Sequence, residues 1–119
     1  MKDFLRSIIT RAGEMSLAYR AKLALLEVSR KTGNDLVSEA DIAIEKYLVD
    51  AIRKEFPTHG IHGEEGGDIA GDQYRWVIDP IDGTTSFVHG QPYYSVSIAL
   101  EKAGEFVLAA VNAPALGEL

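Results

Sequence analysis

The order of elements predicts an α+β fold in which a pair of long helices packs against an antiparallel sheet. Three observations carry that reading. Two stretches with helical apolar spacing come first, every strand-like segment follows them, and the last two strands are joined by a turn short enough for a hairpin.

Phe4, Leu5, Ile8, Ala12, Met15, Tyr19, Leu23 and Leu26 recur at helical spacing, so residues 3 to 29 read as one long helix or two abutting ones. Residues 29 to 34 form a polar break containing Gly33. Ser38 followed by Asp41 has the spacing of a helix-capping pair, and Ala40, Ile44, Leu48, Ala51, Ile52 and Phe56 give a second amphipathic helix ended by Pro57. Ile61 to Gly63 reads as a short strand, Gly66 to Gln73 as a glycine-rich acidic loop, and Tyr74 to Ile78 as a buried strand. Tyr94, Val96, Ile98 and Leu100 alternate with smaller residues, as in a strand with one apolar face. The run Lys102-Ala103-Gly104-Glu105 turns that strand into another over Phe106 to Val111. Asn112 to Gly117 is a further turn, and Glu118-Leu119 has the character of a strand beginning.

At 119 residues the chain has the size of one ordinary domain, able to bury roughly two thirds of its unfolded surface. Its net charge is -6, and no Lys/Arg cluster interrupts the acidic balance, which argues against nucleic acid or an anionic membrane as a partner. Cysteine is absent, so disulfide, zinc-thiolate and cysteine-nucleophile chemistry are excluded, in keeping with a cytoplasmic setting. The first residues carry an early acid and no continuous apolar run, so no signal peptide is expected.

The chemistry concentrates in Trp76-Val77-Ile78-Asp79-Pro80-Ile81-Asp82-Gly83-Thr84-Thr85-Ser86-Phe87. An apolar strand delivers two carboxylates, Asp79 and Asp82, into a glycine turn. Pro80 cannot extend a central ladder, Gly83 permits close approach of backbone to a ligand, and Thr84 can open a helical turn whose free N–H groups face an anion. Asp-Pro and Asp-Gly are also ordinary turn dipeptides, but a plain turn needs neither the strand aimed into it nor the Thr-Thr-Ser run after it. A calcium EF-hand fails, because its glycine position falls on Thr84 and its glutamate position on Gly90. A Walker loop fails too, since Gly83 is not followed by a glycine-lysine pair.

This segment resembles the signature of the inositol monophosphatase family of metal-dependent, lithium-sensitive phosphatases, an Asp-Pro-Ile-Asp-Gly-Thr core preceded by a Gly-Glu-Glu element. Gly63-Glu64-Glu65 supplies that element, and Asp35-Leu36-Val37-Ser38-Glu39-Ala40-Asp41 is similar to the family's early acidic motif. The resemblance implies a layered α/β/α/β/α sandwich, of which these residues form the N-terminal helix pair and sheet. It also implies that comparable chains continue beyond residue 119, supplying a further metal-binding aspartate and most of the substrate pocket, and that the full-length protein is a homodimer.

Phosphomonoester hydrolysis needs an activated water, neutralised phosphoryl charge and a stabilised leaving alkoxide, and two divalent cations about 4 Å apart provide all three. Hard oxygen ligands select Mg²⁺, in two or three ions by resemblance. The resemblance assigns Glu64, Asp79 and the Ile81 carbonyl to one ion, and Asp79 with Asp82 to a second. Thr84 with Glu64 would orient the attacking water, and the Gly83 and Thr84 N–H groups would hold phosphate oxygens. Asp41 reads equally as a helix cap or as an accessory residue near the metals, and Glu65 as an outer ligand or an exposed glutamate. His59 and His62 read as members of a solvated loop, and His89 as lining of the site.

The expected substrate is inositol-1-phosphate, because Thr85-Ser86-Phe87 stands closer to the Thr-Asn-Phe of inositol monophosphatases than to the Lys-Glu of nucleotidase relatives. Ser86 departs from that asparagine. Histidinol phosphate, fructose 1,6-bisphosphate and nucleotide 3′-phosphates therefore remain alternatives, as does a noncatalytic Mg²⁺-binding or dimerisation module.

Overall fold

The computed structural model describes residues 2–25, 33–63, 67–82 and 94–116. Helices α1 (Lys2–Leu25) and α2 (Gly33–Glu55) precede strands β1 (Gly60–Gly63), β2 (Gly67–Ile69), β3 (Tyr74–Asp82), β4 (Ser95–Lys102) and β5 (Glu105–Asn112), and a 3-10 turn covers Pro114–Leu116. Both helices form because their apolar residues fall on one stripe: Leu5, Ile8, Ile9 and Ala12 on α1, and Ala40, Ile44, Leu48 and Ile52 on α2, all buried. The helix α2 starts at Gly33, so Ser38 lies inside it and Asp41 is eight residues past its start. That corrects the capping reading, because the N–H groups lacking an intrahelical partner belong to the first turn only.

The five strands form one sheet in the order β2-β1-β3-β4-β5. It is mixed rather than wholly antiparallel, since β1 and β3 run parallel, with Ile61 opposite Trp76 and Gly63 opposite Ile78. Parallel neighbours need a connection that carries the chain back to the starting level, and β2, hidden within the expected loop, does this by pairing antiparallel on the far side of β1. The chain then closes tightly. A Cβ on Gly71 would strike the backbone of His59 and Gly60, so only glycine fits there. The Asp72 carboxylate accepts from the Tyr74 N–H at 2.8 Å and from the Thr58 hydroxyl at 2.8 Å, fixing the entry to β3.

The strand β3 also runs four residues beyond Ile78, to Asp82. Pro80 is tolerated because it sits where the β3–β4 ladder slips: Asp79 pairs with Ser97 but Asp82 pairs with Ser95, so three steps on β3 span two on β4. The hairpin between β4 and β5 turns through Ala103 and Gly104, both at positive φ (51° and 88°), the handedness that matches the twist of the flanking strands.

One face of the sheet receives the helices, α1 over β4 and β5 and α2 over β3. Trp76, Ile78, Val96, Ile98 and Leu100 point into that layer and are buried. Its far end is aromatic. Phe4 meets Phe56 edge-on at 5.2 Å, and His59, buried rather than solvated as the sequence suggested, stacks between Phe56 and Tyr74 at 4.7 Å from each. The Trp76 indole N–H donates to His59 Nδ1 at 3.0 Å, which leaves the imidazole proton on Nε2. His62, by contrast, is exposed as expected, paired with Asp68 of β2. Along the opposite face of the sheet Val107 and Val111 are 50% and 55% exposed, so the described residues do not cover it. Among those residues no helix is long and apolar enough to cross a membrane.

Two expected outcomes follow from this packing. A Cβ at Gly13 of α1 would drive into the amide of Asn112, whose Nδ2 donates to the Ile9 carbonyl at 3.1 Å. Ala gains up to about 1 kcal/mol in helix propensity, but losing a buried hydrogen bond and close packing costs about 1–3 kcal/mol. Gly13→Ala is therefore expected to lower the urea midpoint, and an unchanged or higher midpoint would show that Asn112 moves aside without cost. The second outcome concerns pH. The Tyr74 N–H, and then the Thr58 hydroxyl, hold the Asp72 carboxyl below its ordinary value of 3.8. Stability from this contact is fully present above that value and drains away as pH falls through the lowered folded pKa. Asp72→Asn should flatten the acid limb of a plot of Tm against pH, and an identical limb in the variant would sink the assignment.

Candidate metal and phosphate site

The site is built from β3, which carries Asp79, and from α2. The buried stripe of α2 contains two acids: Asp41 at 9% exposure and Glu45 at 4%. They are one turn apart on the core-facing side. Below them Gly63, the last described residue of β1, pairs with Ile78, and Asp79 follows within β3, which continues to Asp82. In open sheets the carboxyl ends of parallel strands are where ligand crevices form. The carboxylate of Glu45 lies over this point: a Cβ on Gly63 would be 2.8 Å from Glu45 Cδ and nearer still to Oε1.

Asp79 is half-buried in β3, and its Oδ1, like Oδ1 of Asp41, is shielded from solvent. Ile81, two residues on, is buried at 2% exposure, which anchors the backbone whose carbonyl the sequence singles out. Asp82 lies in the backbone of β3 opposite Ser95, beyond the slip in the ladder, so the strand geometry separates the two aspartates by a local distortion rather than a regular pleat. Glu64, Glu65, Gly83 and Thr84 fall outside the described residues, as does His89.

The chain returns from that stretch at Tyr94, which is 2% exposed. Ser16 of α1 spends its single hydroxyl proton on the Gly13 carbonyl at 2.7 Å, so across the 3.1 Å contact with Tyr94 it is the tyrosine that donates. Burial pushes the Tyr94 hydroxyl pKa up, against smaller lowering effects from Ser16 and Arg20. The segment from Gly83 to Tyr93 is thus bounded by Asp82 in the β3–β4 ladder and by a hydroxyl tied to α1.

Sequence reasoning put Asp79 and Ile81 past a strand ending at Ile78, whereas both lie within β3; it put Asp41 in the second helix, where it is, and missed Glu45. The signal was present, since Glu45 falls on the same stripe as Ile44 and Leu48, where a solvated glutamate does not belong.

The donor set is oxygen throughout: carboxylates and a backbone carbonyl. Burying such acids in an apolar layer is costly unless positive charge or hydrogen bonds compensate, and a hard divalent cation suits oxygen ligands of this kind. Asp79 and the Ile81 carbonyl are donors of the type that a magnesium-type ion takes. Among the described residues no three acidic or imidazole groups are already clustered for one.

The chain has clear counterparts among known proteins. A family model described as the inositol monophosphatase family matches residues 1–119. The chain is 46% identical over 107 residues to the Nus factor SuhB of Pseudomonas aeruginosa, covering 87% of this chain and 40% of that protein. It is 47% identical over 96 residues to an inositol-1-monophosphatase of Rhizobium meliloti, covering 79% and 36%. Further relatives carry the names histidinol-phosphatase and fructose-1,6-bisphosphatase/inositol-1-monophosphatase. The crystal structure of the extragenic suppressor protein suhB from Bartonella henselae superposes with a TM-score of 0.82 at 32% identity, over 97% of this chain and 44% of that one. The chain thus spans less than half the length of these relatives, and over its whole length it belongs to the inositol monophosphatase family.

Proposed function

We propose that this chain contributes the metal- and phosphate-binding part of a Mg²⁺-dependent phosphomonoesterase whose first substrate is inositol-1-phosphate. The observation that carries the proposal is the position of Asp79 in β3, one residue past Ile78, whose partner Gly63 lies against the buried Glu45 of α2. In this reading Glu64, Asp79 and the Ile81 carbonyl hold one Mg²⁺, and Asp79 and Asp82 hold another. Bound Mg²⁺ supplies charge neutralisation on the phosphoryl oxygens and a lowered pKa for water. The rest falls to the chain. Gly83 and Thr84 N–H groups bind and orient the phosphate, and the Thr84 hydroxyl with Glu64 aligns a water in line with the ester bond. A bond from water oxygen to phosphorus forms as the bond from phosphorus to the alcohol oxygen breaks; the products are inositol and phosphate. Asp41 and Glu65 are accessory in this scheme.

The relatives' names support phosphate-ester chemistry and leave the alcohol open. The protein is taken to act in the cytoplasm on a small molecule, as a homodimer at full length, with neither nucleic acid nor membrane as partner. A second reading is a noncatalytic Mg²⁺-binding or dimerisation module; several relatives bear the name Nus factor SuhB rather than that of a phosphatase.

Phosphate release from inositol-1-phosphate, histidinol phosphate, fructose 1,6-bisphosphate and a nucleotide 3′-phosphate, with and without Mg²⁺, separates these readings. In a protein of the relatives' length, Asp79→Asn should cost on the order of a thousandfold in kcat, because it touches both ions. Millimolar Li⁺ should inhibit uncompetitively. Near-normal turnover by Asp79→Asn overturns the two-ion scheme, and Mg²⁺ binding without turnover of any ester favours the module. The 119 residues alone are expected to turn over poorly and to self-associate through the exposed Phe106, Val107 and Val111, a face of the kind that drives association. Light scattering with the same assay checks this, and brisk Mg²⁺-dependent hydrolysis by a monomer would refute it.

A further inference from the structure

We infer that Ser97 is a positioning residue for Asp79, its hydroxyl orienting the carboxylate from across the β3–β4 ladder. This rests on the metal reading above and extends it to a residue outside the proposed ligand set. Asp79 pairs directly with Ser97 in the antiparallel register. The pair before it, Ile78 with Ile98, is buried in the helix layer at 2% and 1% exposure. Side chains alternate along a strand, so Asp79 and Ser97 share the other face, where both are half-buried. Residues directly opposite each other in such a pair have Cβ atoms about 4.5–5.5 Å apart, which puts a serine hydroxyl within reach of an aspartate carboxylate.

The pairing around Ser97 singles out the aspartate. Its partner on β5 is Val111, and the neighbouring row on the same face is Val77, Ala99 and Ala109. Asp79 is thus the polar one of the two residues that the register sets against Ser97. The ladder is regular up to that pair and slips directly after it, resuming at Asp82 opposite Ser95. Asp79 is therefore the last side chain of β3 that β4 holds in register before the distortion, and Ser97 is the residue it is held against. Oδ1 of Asp79 is shielded from solvent, so protein groups rather than bulk water set how the carboxylate faces. A carboxylate that takes a cation is itself hydrogen-bonded by a group outside the ligand set, and altering that group changes metal affinity beyond any effect on folding. A serine opposite the carboxylate assigned to both ions has the chemistry and the position of such a donor.

The test is a Mg²⁺ titration of the full-length protein by calorimetry, with Tm measured in parallel. Ser97→Ala removes the hydroxyl with little change in volume and should raise the Kd for Mg²⁺ roughly 10- to 100-fold. Ser97→Thr keeps the hydroxyl and should stay near the wild-type Kd. In an Asp79→Asn background, Ser97→Ala should add little further loss, because the serine acts through the carboxylate already removed. If Asp79→Asn no longer binds Mg²⁺, the Ala and Thr variants carry the measurement alone. A Ser97→Ala variant with the wild-type Kd, whether or not its Tm falls, shows a packing role only and overturns the inference. A Thr variant as weak as the Ala variant, or a full additional loss in the Asp79→Asn background, overturns it as well. Failure of the wild type to bind Mg²⁺ overturns the metal reading itself, and this one with it.

Discussion

The parallel pairing of β1 with β3 is the constraint on which the rest of the structure depends. Its register places Gly63 of β1 beside Ile78 of β3, one residue before Asp79. Had the sheet been a simple meander, with β1 antiparallel to β3, those residues would have stood at opposite ends of the strands. The short return strand β2 makes the parallel arrangement reachable within ten residues. The backbone contact of Gly60 with Gly71, the cap made by Asp72, and the exposed pairs from Asp68 to His62 and to Arg75 hold that return in place. The exposed pairs add little stability, so pairing, glycine fit and cap carry most of it.

The polarity of the helices completes the arrangement. Along α2 the buried acids Asp41 and Glu45 stand near the middle, Glu45 against Gly63 of β1, and Phe56, the residue after the helix, joins the aromatic cluster. The aromatic end is packed without compromise, down to the indole hydrogen bond that fixes the His59 tautomer. The acidic end breaks the rule that the inside of a helix pair is apolar, and such local departures are expected where a site is built.

Much of this was legible in the sequence. Helical spacing gave both helices, alternation gave β4 and β5, and the Lys102 to Glu105 turn gave their hairpin, because each depends on neighbours along the chain. The failures share a different cause. Parallel pairing of β1 and β3 depends on where β2 returns, and three residues, Gly67 to Ile69, are too few to show a period. Pro80 stopped the expected strand at Ile78, although a slip in the ladder accommodates it. His59 looked like a loop residue beside Pro57 and Gly60, since nothing local announces a cage made from Phe56, Tyr74 and Trp76. Ser38 and Asp41 imitated a cap because the true start of α2 lies at Gly33, in a stretch without apolar periodicity.

Glu45 shows where composition and periodicity conflict usefully. On a helix stripe of Ala40, Ile44, Leu48 and Ile52, a glutamate invites dismissal as a surface residue slightly out of phase, yet it is among the most buried acids described. Gly63 carries the complementary anomaly, a buried position at the edge of β1 without a side chain. Neither is informative alone, because isolated charged residues and isolated glycines are common. Taken as a pair joined by one contact, they fit each other: the missing side chain of the glycine leaves the room that the carboxylate occupies. A conflict between local rule and position that is answered by a matching conflict elsewhere in the fold marks a built feature, and here it lies at the end of the sheet where the sequence places the chemistry.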